Sequence, residues 1–309
     1  MKINSVRLFA VIIVAAVILI MGCISDNGGN VDNSGNIDNN GNANGNGNTD
    51  NGGNNNNEDT PKTWLDVHGD EIVKYAYSKA GIEAEIEAKW QEYGYSVKPT
   101  KYIAISFDDG PCSTSYSGGT AAMLAKLNEL NVKATFFVIG QNVRSNKTVA
   151  KAIFNGGHEL GNHSDGYGSL GGASTEAIAA SLDATSLAIR DVTRKYPCLF
   201  RAPNLNHGAN LSKFCEERGM ALIDGSTYND WGGTGHTPTS ILNSVLADPQ
   251  DGGIILLHDN NTSDGDTLSA LPDIINGLRG KGFWIMTVGQ LAAVKEKPLE
   301  AGKRYNSID

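Results

Sequence analysis

The sequence predicts an α/β fold, a distorted and irregular (β/α) barrel of about seven strands that follows a disordered linker. From Lys101 onward, short apolar segments alternate with amphipathic helical segments, and this alternation is typical of a parallel sheet. About seven strand–helix units in roughly 200 residues fit a barrel better than an open sheet. Polar side chains recur where the predicted strands end, as expected when strand ends converge at one mouth.

Residues 1–23 have the features of a signal peptide. Two basic residues precede an unbroken apolar run at residues 8–21, which is short for a bilayer span. The run ends at Ile20-Met21-Gly22-Cys23, which resembles the lipobox of bacterial lipoproteins and makes Cys23 a candidate for lipidation. A plain signal peptide or an uncleaved anchor is the alternative. In each case we expect an exported protein, anchored at the cell surface or secreted, that meets the membrane only through this N-terminal segment.

The chain between the signal and the main domain changes character at residue 58. Residues 24–57 are almost entirely Asn, Gly and Asp, and they bury too little apolar surface to offset the entropy of ordering. They are predicted to form a disordered linker. Residues 58–100 carry apolar side chains at helical spacing and are predicted as a helical lead-in, because about forty residues are marginal as a separate module. The main domain is assigned to 101–298 and a C-terminal tail to 299–309.

Charge and cysteine content exclude several classes of protein. The formal net charge is −9 and no basic patch is present, so nucleic acid is not expected as a partner. Apart from Cys23 the chain has Cys112, Cys198 and Cys215, an odd number that excludes complete pairing but leaves one bridge open, such as Cys198 to Cys215. The sequence contains no Gly-x-Ser-x-Gly motif and no second cysteine motif, so it lacks the usual signatures of serine hydrolases and thiol proteases. We expect a monomer.

Each predicted strand is a short segment of apolar, β-branched or aromatic residues, and each predicted helix has apolar residues three and four apart. The predicted strands are residues 102–107, 135–139, 158–161, 200–202, 221–223, 254–257 and 284–288. The main predicted helices are residues 121–130, 149–154, 175–196, 239–246 and 268–278.

The first predicted strand ends in Asp108 and Asp109, within the segment Ile-Ala-Ile-Ser-Phe-Asp-Asp-Gly-Pro at residues 103–111. Gly-Pro does not continue a central strand, so the chain turns and both acids are aimed at one cleft, one suited to binding a metal and one to acting as a base. Asp-Asp-Gly-Pro is also a good plain turn. The polar groups at later strand ends favour a catalytic site: Asn162, His163, Ser164, Arg201, Asn204, Asp224, Asp230, Trp231, His258 and Asp259.

These motifs together resemble carbohydrate esterase family four, the polysaccharide deacetylases with a NodB homology domain. The resemblance spans about residues 102–291. It is carried by Ser-Phe-Asp-Asp-Gly-Pro at 106–111, Gly-His-Glu-Leu-Gly-Asn-His-Ser at 157–164, Arg-Ala-Pro at 201–203, Asp-Trp at 230–231 and Leu-Leu-His-Asp at 256–259. It implies a distorted (β/α) barrel and a hydrolase that uses a divalent metal to remove acetyl groups from chitin, peptidoglycan or xylan.

The resemblance also implies a role for each matched residue. Asp108 is the general base and His258 the general acid, while Arg201 holds the base and Asp230 hydrogen-bonds His258. The metal ligands are Asp109 and His163, with Tyr167 at the third position, and we expect one zinc or cobalt ion. Substrate contacts are assigned to Trp231, Asn204 and Pro203. His158 precedes the strand residues and is interpreted as structural.

Two positions depart from the family pattern. Tyr167 stands where the family usually has a second histidine, and Asn204 stands where it usually has tyrosine. A phenol, with a free pKa of about 10, is a poor neutral ligand, so the metal is expected to bind less tightly, unless Asp165 supplies an oxygen instead. Such variants occur among xylan-acting members, which favours O-acetyl esters over the N-acetyl groups of chitin or peptidoglycan.

Two other functions compete with the deacetylase. The first is a carbohydrate-binding protein that kept the barrel and lost strong metal binding, which the two departures favour. The second is a glycosidase with paired carboxylates. Adjacent acids on one turn are poor candidates for it, because the two carboxyl groups must flank the scissile bond roughly 5 to 9 Å apart.

Overall fold

The computed structural model describes residues 62–112, 119–168, 170–208, 210–228, 230, 236–259 and 266–309. The predicted signal peptide, the linker at 24–57 and Trp231 lie outside these ranges. Among the described helices, none combines the length and the apolar character that crossing a membrane requires.

The described residues contain nine strands in one parallel sheet. They are β1 (Lys101–Asp108), β2 (Thr135–Val138), β3 (Glu159–Asn162), β4 (Leu199–Phe200), β5 (Ala221–Ile223), β6 (Thr227–Tyr228), β7 (Ile254–His258), β8 (Phe283–Met286) and β9 (Arg304–Tyr305). Their order is β6-β7-β1-β2-β3-β4-β5-β9, and β8 pairs with the first half of β1. The predicted distorted (β/α) barrel is confirmed, and the seven predicted strands are present; the two-residue strands β6 and β9 were not predicted.

Ten α-helices connect or flank these strands in the described part of the chain. They are α1 (Trp64–His68), α2 (Lys79–Lys89), α3 (Thr120–Glu129), α4 (Gly140–Ser145), α5 (Lys147–Asn155), α6 (Thr175–Thr193), α7 (Leu211–Glu216), α8 (Pro238–Ala247), α9 (Asp266–Gly280) and α10 (Val288–Val294). A 3-10 turn at Pro203–Leu205 follows β4. The strand predicted at 284–288 ends earlier, because Thr287 caps α10 by accepting a hydrogen bond from the backbone N–H of Gln290.

Strand β1 is buried on both faces, and its alternation positions the site. Ile103, Ile105 and Phe107 pack with the surrounding helices in one apolar cluster. Ala104, Ser106 and Asp108 share the opposite face because successive side chains of a strand alternate. Asp108 therefore projects to the interior of the barrel, at the end of the strand.

Both ends of the described chain pack on the sheet. In α2 the buried side chains Ile82 and Ile86 join the same apolar cluster as Trp284 of β8. At the other end, residues 299–309, predicted as a tail, hold β9, which pairs with β5. Ile308 is fully buried. A two-residue strand has too little periodicity to be recognised in the sequence.

The three cysteines in the described part of the chain are free thiols. The bridge between Cys198 and Cys215 that the sequence left open is therefore not formed. Cys198 is partly buried against the sheet, and burial raises the pKa of its thiol to about 12, which disfavours the reactive thiolate.

Candidate active site

The carboxylate of Asp108 is buried and bound by a fully buried guanidinium. Arg201 follows β4, and its Nη1 donates to Asp108 Oδ1 at 2.6 Å. Its Nε donates to the Ile223 carbonyl at 2.9 Å, Nη2 donates to the Asp224 carbonyl at 3.1 Å, and the guanidinium lies 4.1 Å from the centre of the Phe137 ring. These contacts fix the orientation of Arg201, which balances the charge of Asp108 and binds its Oδ1, while Oδ2 lies 3.7 Å from His163 Nε2.

A sharp turn brings Asp109 to the same side as Asp108. Asp109 has φ of 74°, a left-handed conformation that non-glycine residues rarely adopt. The side-chain amide of Asn142, on α4, donates to the Asp109 carbonyl at 2.7 Å and holds this turn. Glycine suits the next position, because a Cβ on Gly110 would overlap the carboxylate of Asp259. As predicted, the turn aims two adjacent acids at one cleft.

His163 presents one nitrogen to both acids. Its Nδ1 lies 2.8 Å from the carbonyl oxygen of Arg201, which only accepts, so Nδ1 carries a hydrogen and Nε2 of the neutral ring presents a lone pair. That Nε2 lies 3.4 Å from Asp109 Oδ1 and 3.7 Å from Asp108 Oδ2. A nitrogen lone pair facing carboxylate oxygens is a donor set suited to a divalent cation such as zinc or cobalt.

Tyr167, at the third expected ligand position, differs from Asp109 and His163 in being exposed to solvent. The Tyr167 side chain is 57% exposed, and its hydroxyl oxygen accepts a hydrogen bond from Asn142 Nδ2 at 2.9 Å. Asp165 does not supply an oxygen, because Arg144 binds both of its carboxylate oxygens at 2.7 and 2.9 Å. Over the described ranges no group of three or more His, Cys, Asp or Glu side chains is arranged to hold a metal. The candidate ligands are therefore Asp109 and His163, beside a phenol.

His258 and Asp230 form a second charged pair. His258 ends β7, and its Nδ1 donates to Asp230 Oδ1 at 2.7 Å. Asp230 is fully buried, and its Oδ2 accepts from the His258 backbone N–H and from the Thr267 hydroxyl, both at 2.7 Å. Burial opposes the imidazolium charge, but the hydrogen bond and the charge of Asp230, with smaller contributions from Asp108 and Asp109, outweigh it and raise the pKa of His258 to about 9.

A cavity of about 340 Å³ joins these groups. It is lined by seven of the predicted site residues: Asp108, Asp109, His163, Tyr167, Pro203, Asn204 and His258. Arg201 and Asp230 contact these residues rather than the cavity. Trp231 lies outside the described residues.

Some residues around the cavity were not predicted from the sequence. Leu256 forms part of its apolar lining, and Asn142 bridges the Asp109 turn and Tyr167, whereas Leu205, which also lines the cavity, begins the loop at 205–210 expected from the sequence to govern substrate choice. Leu256 could have been found, since it lies two residues before His258 on the same face of β7. His158, interpreted as structural, is buried and accepts a hydrogen bond from the Ala134 backbone N–H at 3.1 Å; burial lowers its pKa to about 4.

Comparison with known proteins gives the same assignment over most of the described chain. Residues 96–223 match the polysaccharide deacetylase family. A bifunctional xylanase/deacetylase of Pseudobutyrivibrio xylanivorans is 36% identical over 203 residues, which cover 65% of this chain but only 32% of that protein. A peptidoglycan-N-acetylglucosamine deacetylase of Bacillus cereus is 33% identical over 199 residues, 63% of this chain and 90% of that protein.

A solved structure extends the likeness to three dimensions. The family 4 acetyl xylan esterase from Clostridium thermocellum, in complex with a cobalt ion, has a TM-score of 0.61 and 34% identity. The match covers 67% of this chain and 99% of that one. The chain therefore belongs to the polysaccharide deacetylase family, carbohydrate esterase family four.

Proposed function

We propose that this protein is a metal-dependent hydrolase that removes acetyl groups from an extracellular polysaccharide. One observation carries the proposal: His163 faces Asp108 and Asp109 in the same cavity that His258 lines, and Asp230 holds His258 from behind. This arrangement provides a cation site, a base and an acid. The relatives act on xylan or peptidoglycan according to their names, which supports acetylated polysaccharide as the substrate.

Asp109 and His163 are the residues that would hold the metal, zinc or cobalt. The ion, when bound, supplies Lewis acidity that lowers the pKa of water toward about 7 and polarises the acetyl carbonyl. Tyr167 borders the cavity at the third position, where a phenol is a weaker ligand than imidazole. We therefore expect this protein to bind the metal less tightly than family members that have histidine at the third position.

Asp108 acts as the general base. Because Arg201 occupies Oδ1, the proton of the attacking water moves to Oδ2, the oxygen that faces His163. Arg201 keeps the carboxylate of Asp108 in place while Asp108 gains and then loses a proton. One oxygen of Asp108 is thus held by Arg201 and the other is left to accept a proton, which supports Asp108, rather than Asp109, as the base.

His258 acts as the general acid. Asp230 holds Nδ1, so Nε2 is the atom that donates a proton to the departing sugar oxygen or nitrogen. A pKa of about 9 keeps the imidazole protonated at neutral pH, so the proton is available in the resting enzyme. Pro203, Asn204 and Trp231 are assigned to contact the sugar chain.

The location and assembly of the protein belong to the same proposal. Residues 1–23 direct export, and Cys23 is the candidate lipid attachment point. Residues 24–57 then tether the catalytic domain, which acts as a monomer on polysaccharide outside the cell. An extracellular, polymeric substrate fits a catalytic domain held at the end of a linker.

Acetate release tests the activity. We would incubate acetylxylan, chitin oligomers and peptidoglycan with the protein in the presence of zinc, cobalt or no added metal, with Asp108→Asn as the inactive control. Metal-dependent release from acetylxylan supports the proposal and the preference for O-acetyl esters. Release from chitin or peptidoglycan alone would refute that preference, and no release from any polymer would refute the activity.

A carbohydrate-binding protein on the same barrel is the second candidate. The candidate metal ligands among the described residues are only Asp109 and His163, with the phenol of Tyr167 at the third position, and such a set binds a metal weakly. Oligosaccharide binding without acetate release would favour it. The glycosidase is disfavoured by geometry, since Asp108 and Asp109 approach one imidazole nitrogen rather than flank a bond. New reducing ends without acetate would reinstate it.

A further inference from the structure

A second histidine–aspartate pair adjoins the wall of the cavity. His207 Nε2 lies 2.9 Å from Asp224 Oδ1, and because a carboxylate only accepts, Nε2 carries the hydrogen. Asp224 follows β5 and is fully buried. Its other oxygen accepts from Arg304 Nε of β9, and its carbonyl accepts from Arg201 Nη2 at 3.1 Å. The backbone carbonyl of Asp224 therefore helps to orient Arg201, whereas its side-chain bonds to His207 and Arg304 have no part in the proposed reaction.

The loop that carries His207 has an unfavourable backbone. Asn204 and Leu205, which line the cavity, have φ of 55° and 51°, so two consecutive non-glycine residues are left-handed. Asparagine tolerates this conformation, but a bulky side chain such as leucine rarely adopts it. Such a conformation persists only when surrounding contacts hold it. His207 is two residues beyond Leu205, and its bond to Asp224 ties this loop to the end of a core strand.

We propose that His207 is a positioning residue for substrate binding: by its hydrogen bond to Asp224 it holds the Pro203–Leu205 turn as the cavity wall against which the polysaccharide lies. The inference rests on the proposed function and names a residue that sets affinity for the polymer. His207 bonds to the side chain of Asp224, whereas Arg201 bonds to the backbone carbonyl of Asp224, so we expect the effect of His207 in binding rather than in proton transfer.

The charge of Asp224 supports this role. Burial alone would raise the pKa of Asp224, but the hydrogen bonds from His207 and Arg304 outweigh burial and lower it. A fully buried carboxylate needs both partners. The two partners connect different segments to Asp224 at the end of β5. Arg304 connects strand β9, whereas His207 connects the loop that follows the Pro203–Leu205 turn. Removing each in turn therefore separates a general loss of stability from a loss of the cavity wall.

The test compares two amides of different length at one position. In His207→Gln the amide is long enough to donate to Asp224, whereas in His207→Asn it is one methylene shorter and does not reach. We expect His207→Asn to raise KM for acetylated xylan or chitin oligomers by roughly tenfold, as for loss of a hydrogen bond to a charged group, with kcat within about twofold. We expect His207→Gln to retain the wild-type KM. On a small aryl acetate, which does not extend along the wall, both variants should match wild type.

Controls make the outcomes distinct. Arg304→Met should lower the melting temperature without changing KM for the polymer, and His207→Ala repeats the comparison if His207→Asn does not fold. An unchanged KM in His207→Asn, an equal change on the aryl acetate, or an equal rise of KM in Arg304→Met would each overturn the inference. A wild-type protein that releases no acetate from any polymer would instead refute the proposed function.

Discussion

Replacement of Asp230 by asparagine should move the alkaline limit of activity. The acid form of His258 is present below its pKa of about 9 and is lost as the pH rises through that value. In Asp230→Asn the hydrogen-bonding shape is nearly retained, but the carboxylate charge is gone while burial of His258 continues to oppose protonation. We therefore expect the pKa of His258 to fall to 6.5, its ordinary value, or below.

The size of the effect follows from the two pKa values. At pH 8 an imidazole of pKa 9 is about 90% protonated, whereas one of pKa 6.5 is about 3% protonated, which predicts a loss of about 30-fold in kcat/KM. At pH 6 the loss should nearly disappear, to about 1.3-fold, because an imidazole of pKa 6.5 is then about 76% protonated and one of pKa 9 almost fully so. Asp230 contributes more to the raised pKa of His258 than Asp108 and Asp109 do, so its replacement should have the largest effect.

The assay is the pH dependence of kcat/KM for acetate release between pH 5 and about 10, with acetylxylan and with an activated aryl acetate. The aryl acetate should be less sensitive, since its leaving group needs no proton. Thr267→Val is the matched control, because it removes a hydrogen bond to Asp230 without removing the charge. An alkaline limit that stays near 9 in Asp230→Asn, or a loss that is equal on both substrates, would refute the assignment of His258 as the acid.

Three further substitutions test the remaining geometry. Asp109→Ala should lose the metal, whereas Asp108→Ala should keep it and lose turnover; metal analysis of the purified variants checks this, and loss of metal from both would reverse the assigned roles. Tyr167→His should tighten zinc and cobalt binding by roughly tenfold in titrations of the apo protein, on the scale of one added ligand interaction, and unchanged binding would show that position 167 does not reach the ion. Gly110→Ala should destabilise the fold by about 1–3 kcal/mol, measured by denaturant unfolding, because its Cβ would overlap the Asp259 carboxylate.

Strand positions were predictable where apolar runs are long enough to show a period. β1 and β7 have eight and five residues and were located to within one residue at either end. β6 and β9 have two residues each, and their pairing is decided by tertiary contacts that leave no local signal. Helix α4 was missed because its residues, GQNVRS, are mostly polar, although two of them are buried.

The candidate site was predictable because strand ends in a barrel converge. Asp108 and His258 are 150 positions apart in sequence, yet they are register partners on β1 and β7. Residues that act through the shape of a loop, such as Asn142 and His207, carried no comparable signal. Their roles depend on backbone carbonyls and on left-handed turns, which spacing in a sequence does not specify.

The two contacts that Arg201 makes in the site limit how this enzyme can be altered. Its guanidinium holds the assigned base, and its own carbonyl fixes the ring of His163. A change in the backbone at this residue would displace the proposed base and the proposed metal ligand together, so neither could be altered through Arg201 without disturbing the other. Tyr167 is different, because it is exposed and bound through a single amide. Adaptation to a new metal is therefore more accessible through position 167, at the rim, than through the interior of the site.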